Sequence, residues 1–478
     1  MTDQRVVVIG AGPGGYVAAI RAASHGARVT LIENNHVGGT CLNWGCIPSK
    51  IMKTSADLFH QFSQADHYGV KVTGTVEPDM RALMERKTKI IDTQRKGIHS
   101  LLKKSRIDFQ QGRGVIRGKH LAVVIRDDGE ENEIPFDRLI LAPGTKPLNI
   151  PSFPFDGSHI LSSNDLLSLD AVPQSMLIVG GGVIGCEFAC ILSALGARVT
   201  VVEAMSRLLP LDAVDASCSK TLQREMKKRK IKIITDRTVN SATVENGKVA
   251  AAIGASPFMD AKKAESVSET RVEAEKMAVC IGRSPLSGDL GLENAGLAPT
   301  EKGWIEVNEK METAVENIYA IGDILGPEKI MLAHAASHEG MVAADNAMGK
   351  ERTMHYHAVP GAVFTMPEIG NVGITEAEAV KKGMDVACST VNFRTLGKAQ
   401  AMGEIAGEAK IISHKTSGKV LGVHITGPHA TDLIAEGTLA VTRGLTVADL
   451  AETIHAHPTL AEIMSEASLK ATGMALHG

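Results

Sequence analysis

Residues 5–33 read RVVVIGAGPGGYVAAIRAASHGARVTLIE. The β-branched run 5–9 predicts a strand buried on both faces, as in a parallel sheet. Gly10, Gly12 and Gly15 follow as G-x-G-x-x-G, then an alanine-rich helix, then a second strand at 28–32 that Glu33 closes. Gly10 permits the tight turn, Gly12 lets the backbone approach a pyrophosphate, and Gly15 lets helix and strand pack closely. The helix start offers free N–H groups and the positive end of a dipole to phosphate. Glu33 is placed to accept hydrogen bonds from a ribose diol.

The same arrangement returns at 176–203, MLIVGGGVIGCEFACILSALGARVTVVE. Gly180, Gly182 and Gly185 repeat the turn, Glu203 repeats the acid, and GARVT occurs at both 26–30 and 196–200. In each copy the acid lies 18 residues beyond the third glycine. One G-x-G-x-x-G is weak evidence; two, each between strands and each with its acid, predict two Rossmann-like dinucleotide folds of α/β class. A carboxylate at 203 suits a free 2′-hydroxyl and repels a 2′-phosphate, which favours NAD over NADP in the second fold. Arg207, four residues on, reads as a solvated loop charge.

Composition bounds the rest. A chain of 478 residues accommodates about three or four domains. A formal net charge of −3 gives no basis for nucleic-acid or anionic-membrane binding, and 3% aromatics disfavour a base-stacking surface. Seven scattered cysteines do not form a secreted disulfide framework. The N-terminal MTDQRVVVIG lacks a basic segment followed by an apolar one, and no apolar run reaches membrane length. The cytoplasm is the expected compartment, and no metal site is expected.

Residues 38–50, GGTCLNWGCIPSK, place Cys41 and Cys46 just beyond the first fold unit. The C-x4-C spacing is neither the C-x2-C of thioredoxin-like motifs nor that of most zinc sites. Two buried structural thiols are one reading; a dithiol that carries two electrons by opening and closing a disulfide is the other. Pro48 suits the first turn of a helix, so the helix is expected to begin near the cysteines and to lower a thiol pKa there.

Taken together, the two glycine turns, CIPSK, IYAIGDIL at 318–325, MLAHAASHEG at 331–340 and HAHPTLAE at 455–462 resemble the pyridine nucleotide–disulfide oxidoreductases. The resemblance spans essentially the whole chain. It implies an FAD domain at 1–150 that carries the redox disulfide and an NAD domain at 151–280. A central domain at 281–353 would complete the FAD site, and an α+β dimerisation domain would occupy 354–478. FAD is expected at Gly10, Gly12, Gly15, Glu33, Gly39, Thr40, Lys50, Gly144, Asp323, Leu332, Ala333 and His334. NAD is expected at Gly180, Gly182, Gly185, Glu187, Glu203 and Gly282. By the same resemblance Cys46 faces the flavin and Cys41 exchanges with substrate. Lys50 and Glu187 form an ion pair near the flavin; without the resemblance Glu187 reads as an ordinary helix glutamate. His457 is the implied base and Glu462 the carboxylate that orients it, with His455 structural.

The implied reaction is oxidation of protein-bound dihydrolipoamide with NAD⁺ as acceptor. A homodimer would share each active site between subunits, and the lipoyl domains of 2-oxo acid dehydrogenase or glycine cleavage complexes would be partners. Reduction of glutathione disulfide or another small disulfide on the same fold is the alternative. Three positions depart from the family's usual pattern. Pro143 stands where Thr is usual, which puts a side-chain hydrogen bond at that crossover in doubt. Glu408 replaces a commoner aromatic, and Trp44 replaces an aliphatic residue between the cysteines.

Overall fold

Two parallel sheets of the same design dominate the computed structural model, which describes residues 4–477. In the first, strands run in the order Ile318–Ala320, Arg138–Leu141, Arg5–Ile9, Arg28–Glu33, Asp108–Gln111. In the second the order is Lys232–Ile234, Arg198–Val202, Ser175–Val179, Lys276–Val279, Ile160–Ser162. All neighbours in both are parallel. Register repeats as well: Ile9 lies beside Ile32, and Val179 beside Val202. The near-continuous Val/Ile/Leu runs of the central strands follow from burial on both faces; Val6, Val8, Leu177 and Ile178 are wholly buried.

Each parallel sheet is accompanied by a three-stranded antiparallel meander. One uses Arg113–Gly118, Leu121–Ile125 and Glu131–Pro135; the other uses Arg237–Glu245, Lys248–Ala255 and Thr270–Ala274. Short β-branched strands joined by Gly-containing turns favour this arrangement. A third sheet is antiparallel, in the order Gly361–Val363, Glu368–Gly373, Val420–Gly427, Glu408–His414, Val386–Asn392. Its core joins Val423, Ile425 and Ile411 to Ile434 of the helix Ala430–Arg443 and Ile463 of the helix Glu462–Ala471.

By contact the chain divides into two units. One comprises 1–52, 81–148 and 282–356; the other comprises 53–80, 149–281 and 357–478. Within the first, the helices Pro13–Ser24 and Ala333–Ala347 cross where both carry glycine. A Cβ on Gly340 would meet the Gly14 carbonyl oxygen at 2.4 Å. That close approach needs bare Cα atoms, so the glycine turn and the helix start near 333 belong to one packed body. Among the described residues no helix is long and apolar enough to cross a membrane.

Candidate functional site

The two glycine turns are built alike. Gly10 and Gly180 have φ of +100° and +102°, and added Cβ atoms would strike the carbonyl oxygens of Ala142 at 2.1 Å and Cys280 at 2.4 Å. Cβ atoms on Gly15 and Gly185 would strike the carbonyl oxygens of Gly10 and Gly180 at 1.8 and 1.9 Å. These four glycines are required by conformation or by the protein's own packing. The middle glycines are different. Gly12 and Gly182 have φ of −66° and −72°, open to any residue. A Cβ on Gly12 meets nothing nearer than Gly39 Cα at 3.9 Å, and one on Gly182 meets nothing within 4 Å. A bare Cα there serves the approach of something other than protein, as a dinucleotide pyrophosphate requires.

The acids and helix starts agree with that fit. Glu33 accepts from the Ala11 N–H at 2.6 Å and the Asn35 N–H at 2.9 Å. Glu203 accepts from Gly181 at 2.5 Å and Met205 at 2.7 Å. Both carboxylates are buried, and each brace leaves lone pairs for a ribose diol, since an ionised carboxylate has about four acceptor sites. Burial pushes the Glu33 carboxyl upward, against the backbone donors that favour its charge. The helices Pro13–Ser24, Val183–Ala194 and Ala333–Ala347 have no side-chain cap at Gly12, Gly182 or Leu332. Their first N–H groups are thus available to phosphate or to a developing negative charge. The donor set fits FAD at the first turn and NAD at the second.

Cys41 lies in the short helix Gly39–Trp44, and Cys46 opens the helix Cys46–Phe62. Both are thiols; Cys41 is half-buried and Cys46 exposed. The Cys41 thiol is hydrogen-bonded to Cys46. That bond, then burial, pushes it well above the usual thiol range, while the Lys50 ammonium pulls the other way. That direction favours the protonated form of Cys41. The Gly38 and Gly39 backbones adopt φ of +89° and +54°, which lets Thr40 and Cys41 turn into the helix. Lys50 Nζ is 3.4 Å from Ser49 Oγ, one helical turn past Cys46.

Several residues around Asp323 were not singled out from sequence. The Thr145 hydroxyl donates to Asp323 Oδ2 at 3.0 Å. Arg283 donates through Nε to Thr145 Oγ1 at 2.6 Å and through Nη2 to the Thr145 carbonyl at 2.8 Å. Pro143 itself offers no side-chain donor. Gly144 has φ of +71° and Gly282 of +135°, each beside one of these residues. Glu339, fully buried, accepts from the Gly322 N–H at 2.7 Å and from the Tyr356 hydroxyl at 2.7 Å. It fixes the turn that presents Asp323. Ala333 and exposed His334 form the first turn of the helix Ala333–Ala347.

In the other unit, His457 Nδ1 is 2.8 Å from Glu462 Oε1, and the Thr459 N–H donates to Glu462 Oε2 at 2.9 Å. Burial alone would raise the Glu462 carboxyl; the His457 and Thr459 hydrogen bonds outweigh it and hold it below its ordinary value. The imidazole is 76% exposed, with Nε2 directed away from the carboxylate contact. His455 is instead tied to Glu436 at 2.9 Å, a structural role. Buried Glu187 accepts from the Phe364 N–H at 2.9 Å. Lys50 belongs to the first unit and Glu187 to the second.

The expectation for Arg207 is corrected. It is not a solvated charge: Nη2 donates to the carbonyls of Leu211 and Val214 at 3.0 and 3.1 Å. A guanidinium spans several carbonyls of an irregular loop, and LLPLDAV supplies such a loop. Among the described residues no cluster of His, Cys, Asp or Glu forms a metal site.

Comparisons with known proteins agree with this geometry. The pyridine nucleotide-disulphide oxidoreductase family matches residues 4–340, and its dimerisation domain matches 359–468. A dihydrolipoyl dehydrogenase of Chlamydia muridarum is 41% identical over 473 residues, covering 98% of this chain and 97% of its own. That of Bacillus subtilis is 39% identical over 485 residues, covering 100% and 99%. The crystal structure of LpdA from Mycobacterium tuberculosis superposes with a TM-score of 0.89 at 28% identity, over 98% of this chain and 99% of that one. The Escherichia coli flavoprotein disulfide reductase RclA shares the fold, with a TM-score of 0.83 at 24% identity, over 97% of this chain and 99% of that one.

Proposed function

Since the chain belongs to the pyridine nucleotide-disulphide oxidoreductase family, we propose that it is a dihydrolipoyl dehydrogenase whose working groups are Cys41, Cys46, His457 and Glu462. It is an oxidoreductase acting on sulfur, uses FAD and NAD, and carries the dimerisation domain of a homodimer. The observation that supports the site assignment is the hydrogen-bonded pair of Cys41 and Cys46 at the head of the helix Cys46–Phe62.

The chain's residues divide the work as follows. A thiol of dihydrolipoamide loses its proton to His457 and attacks the sulfur of Cys41 in the oxidised enzyme. The Cys41–Cys46 bond breaks, and Cys46 leaves as thiolate. The second lipoyl thiol then displaces Cys41, its proton passing to the Cys41 sulfur, so the lipoyl disulfide closes and the enzyme is left with a Cys41 thiol and a Cys46 thiolate. Two electrons thus pass from substrate to the cysteine pair, and His457 holds a proton. Glu462 fixes the ring so that Nδ1 faces the carboxylate, leaves Nε2 for the thiol, and stabilises the imidazolium. The flavin, when bound, supplies two-electron transfer between the dithiol and the nicotinamide. Gly12, Glu33, Thr40, Gly144 and Asp323 would hold it, with Thr145, Arg283 and Glu339 orienting Asp323. Lys50 would place a cation beside it. Gly182, Gly185 and Glu203 would hold NAD.

In a homodimer with shared sites, His457 serves the dithiol of the partner subunit, and lipoyl domains of 2-oxo acid dehydrogenase or glycine cleavage complexes deliver the substrate. The test is NAD⁺ reduction by dihydrolipoamide with the purified yellow protein, beside NADPH with glutathione disulfide. Rapid NADH formation without glutathione turnover is expected. Glutathione turnover without lipoamide turnover would overturn the substrate assignment.

A further inference from the structure

Between Glu203 and the helix Ala216–Lys228 runs a segment, 204–215, that packs on the second glycine turn. The Leu209 N–H donates to the Gly181 carbonyl at 2.8 Å, and the Ser219 hydroxyl donates to the Leu208 carbonyl at 2.5 Å. Arg207 closes the segment internally on Leu211 and Val214. Its far end is held by the third sheet as well.

Across three adjacent strands of that sheet lies a row of polar side chains: Asn371 stands opposite His424, and His424 opposite Lys410. All three are buried, at 4%, 0% and 7% exposure. Asn371 Nδ2 donates to the Ala213 carbonyl at 2.8 Å. Lys410 Nζ donates to Asp215 at 3.1 Å and also to Glu376. Asp215 in turn caps the helix Ala216–Lys228 through the Ser217 N–H at 3.0 Å and accepts from the Glu376 N–H at 3.2 Å. The His424 ring bonds the Ile374 carbonyl at 2.9 Å. A buried ion pair contributes less to stability than well-packed apolar side chains of like size. Its use here is geometric: with Asn371 it anchors the 213–215 end of the segment, whose other end is held at the glycine turn by the Gly181 N–H on Glu203 and the Leu209 N–H on the Gly181 carbonyl.

We propose that Lys410 and Asn371 are positioning residues for the nicotinamide dinucleotide: they hold the segment 204–215, and with it the Glu203 carboxylate, in the geometry that binds the ribose. The inference rests on reading the second glycine turn as the NAD site.

The experiment is steady-state kinetics on the full flavoprotein carrying Asn371→Ala, Lys410→Met or Lys410→Arg, with bound-flavin absorbance as the measure of folding. Glu203→Ala serves as the control for the site itself. KM for NAD⁺ should rise about fivefold or more in Asn371→Ala and Lys410→Met, the size of an ordinary coupling between sites. The KM for dihydrolipoamide and kcat should stay within about twofold. Lys410→Arg, which keeps the cation, should restore KM for NAD⁺. Should Lys410→Met fail to hold flavin, Asn371→Ala alone decides, because it removes one neutral hydrogen bond and leaves no charge unpaired. An unchanged KM for NAD⁺ in flavin-loaded Asn371→Ala overturns the inference, as does a parallel loss in both substrates. If Glu203→Ala also leaves KM for NAD⁺ unchanged, the NAD-site reading falls; if Glu203→Ala raises it, only the present inference falls.

Discussion

Gly182→Ala and Gly185→Ala differ by three positions in one helix start, yet their consequences should separate completely. At 185 an added methyl would lie 1.9 Å from the Gly180 carbonyl oxygen and 3.3 Å from Ile178 Cγ2. Backbone must move to admit it, a cost of about 1–3 kcal/mol or more for forced overpacking. At 182 the methyl meets no protein atom within 4 Å, and φ of −72° suits alanine. Restricting the unfolded chain there gains about 0.4–1 kcal/mol. Alanine is a poorer N-cap than glycine, a loss of about 0.5–1 kcal/mol. The two nearly cancel, so thermal stability should hold. Binding should not: the methyl occupies the approach of the pyrophosphate, and about 1–3 kcal/mol of overlap raises KM for NAD⁺ by roughly fivefold to 150-fold. The assay is KM for NAD⁺ and the thermal midpoint measured on the same preparations. Expected are an intact midpoint with raised KM for Gly182→Ala and a lowered midpoint for Gly185→Ala. A Gly182→Ala enzyme with native KM for NAD⁺ would refute the claim that this glycine is bare for a phosphate.

Cys46→Ser should lose lipoamide turnover by about three orders of magnitude or more while retaining FAD, checked by absorbance and turnover together; undiminished turnover removes the dithiol from the reaction. His457→Gln should slow the thiol half-reaction by about 10²–10⁴-fold and leave flavin reduction by NADH nearly intact in stopped flow; equal losses would argue against the base role. Glu462 is held below its ordinary value of 4.5, so its contribution to folding is complete above that value and is lost as pH falls through the lower folded value. The difference in urea midpoint between the native chain and Glu462→Gln should shrink as pH falls below about pH 4; a difference that grew there would reverse the sign. Thr145→Val removes the hydroxyl between Arg283 and Asp323 and should loosen FAD, read as faster flavin release in mild denaturant; unchanged retention would free Asp323 from that support.

What could be read along the chain shares one property: the interacting atoms lie close in sequence. The glycine turns, the C-x4-C thiols and the His457–Glu462 pair each close within a few residues, and Glu33 bound to Ala11 and Glu203 bound to Gly181 each close within one strand–helix–strand unit. Local backbone geometry then dictates residue type, and spacing reveals it. Even Arg207, misread as solvated, had its partners within seven residues; its loop carbonyls were the overlooked signal.

The remaining groups join segments far apart in the chain. Arg283 reaches Thr145 across 138 positions, Thr145 reaches Asp323 across 178, and Lys410 reaches Asp215 across 195. A lysine in a strand and an aspartate before a helix carry no mark of each other in sequence. Only the stacking of the third sheet against the segment 213–215 brings them together, because burial without a partner would be too costly for either charge. The sequence by itself determined the two dinucleotide folds and marked out the cysteine pair and the His457–Glu462 pair, through short-range backbone constraints. The tertiary structure alone decided which distant side chains hold Asp323 and Asp215, because long-range packing selects partners that no local pattern encodes.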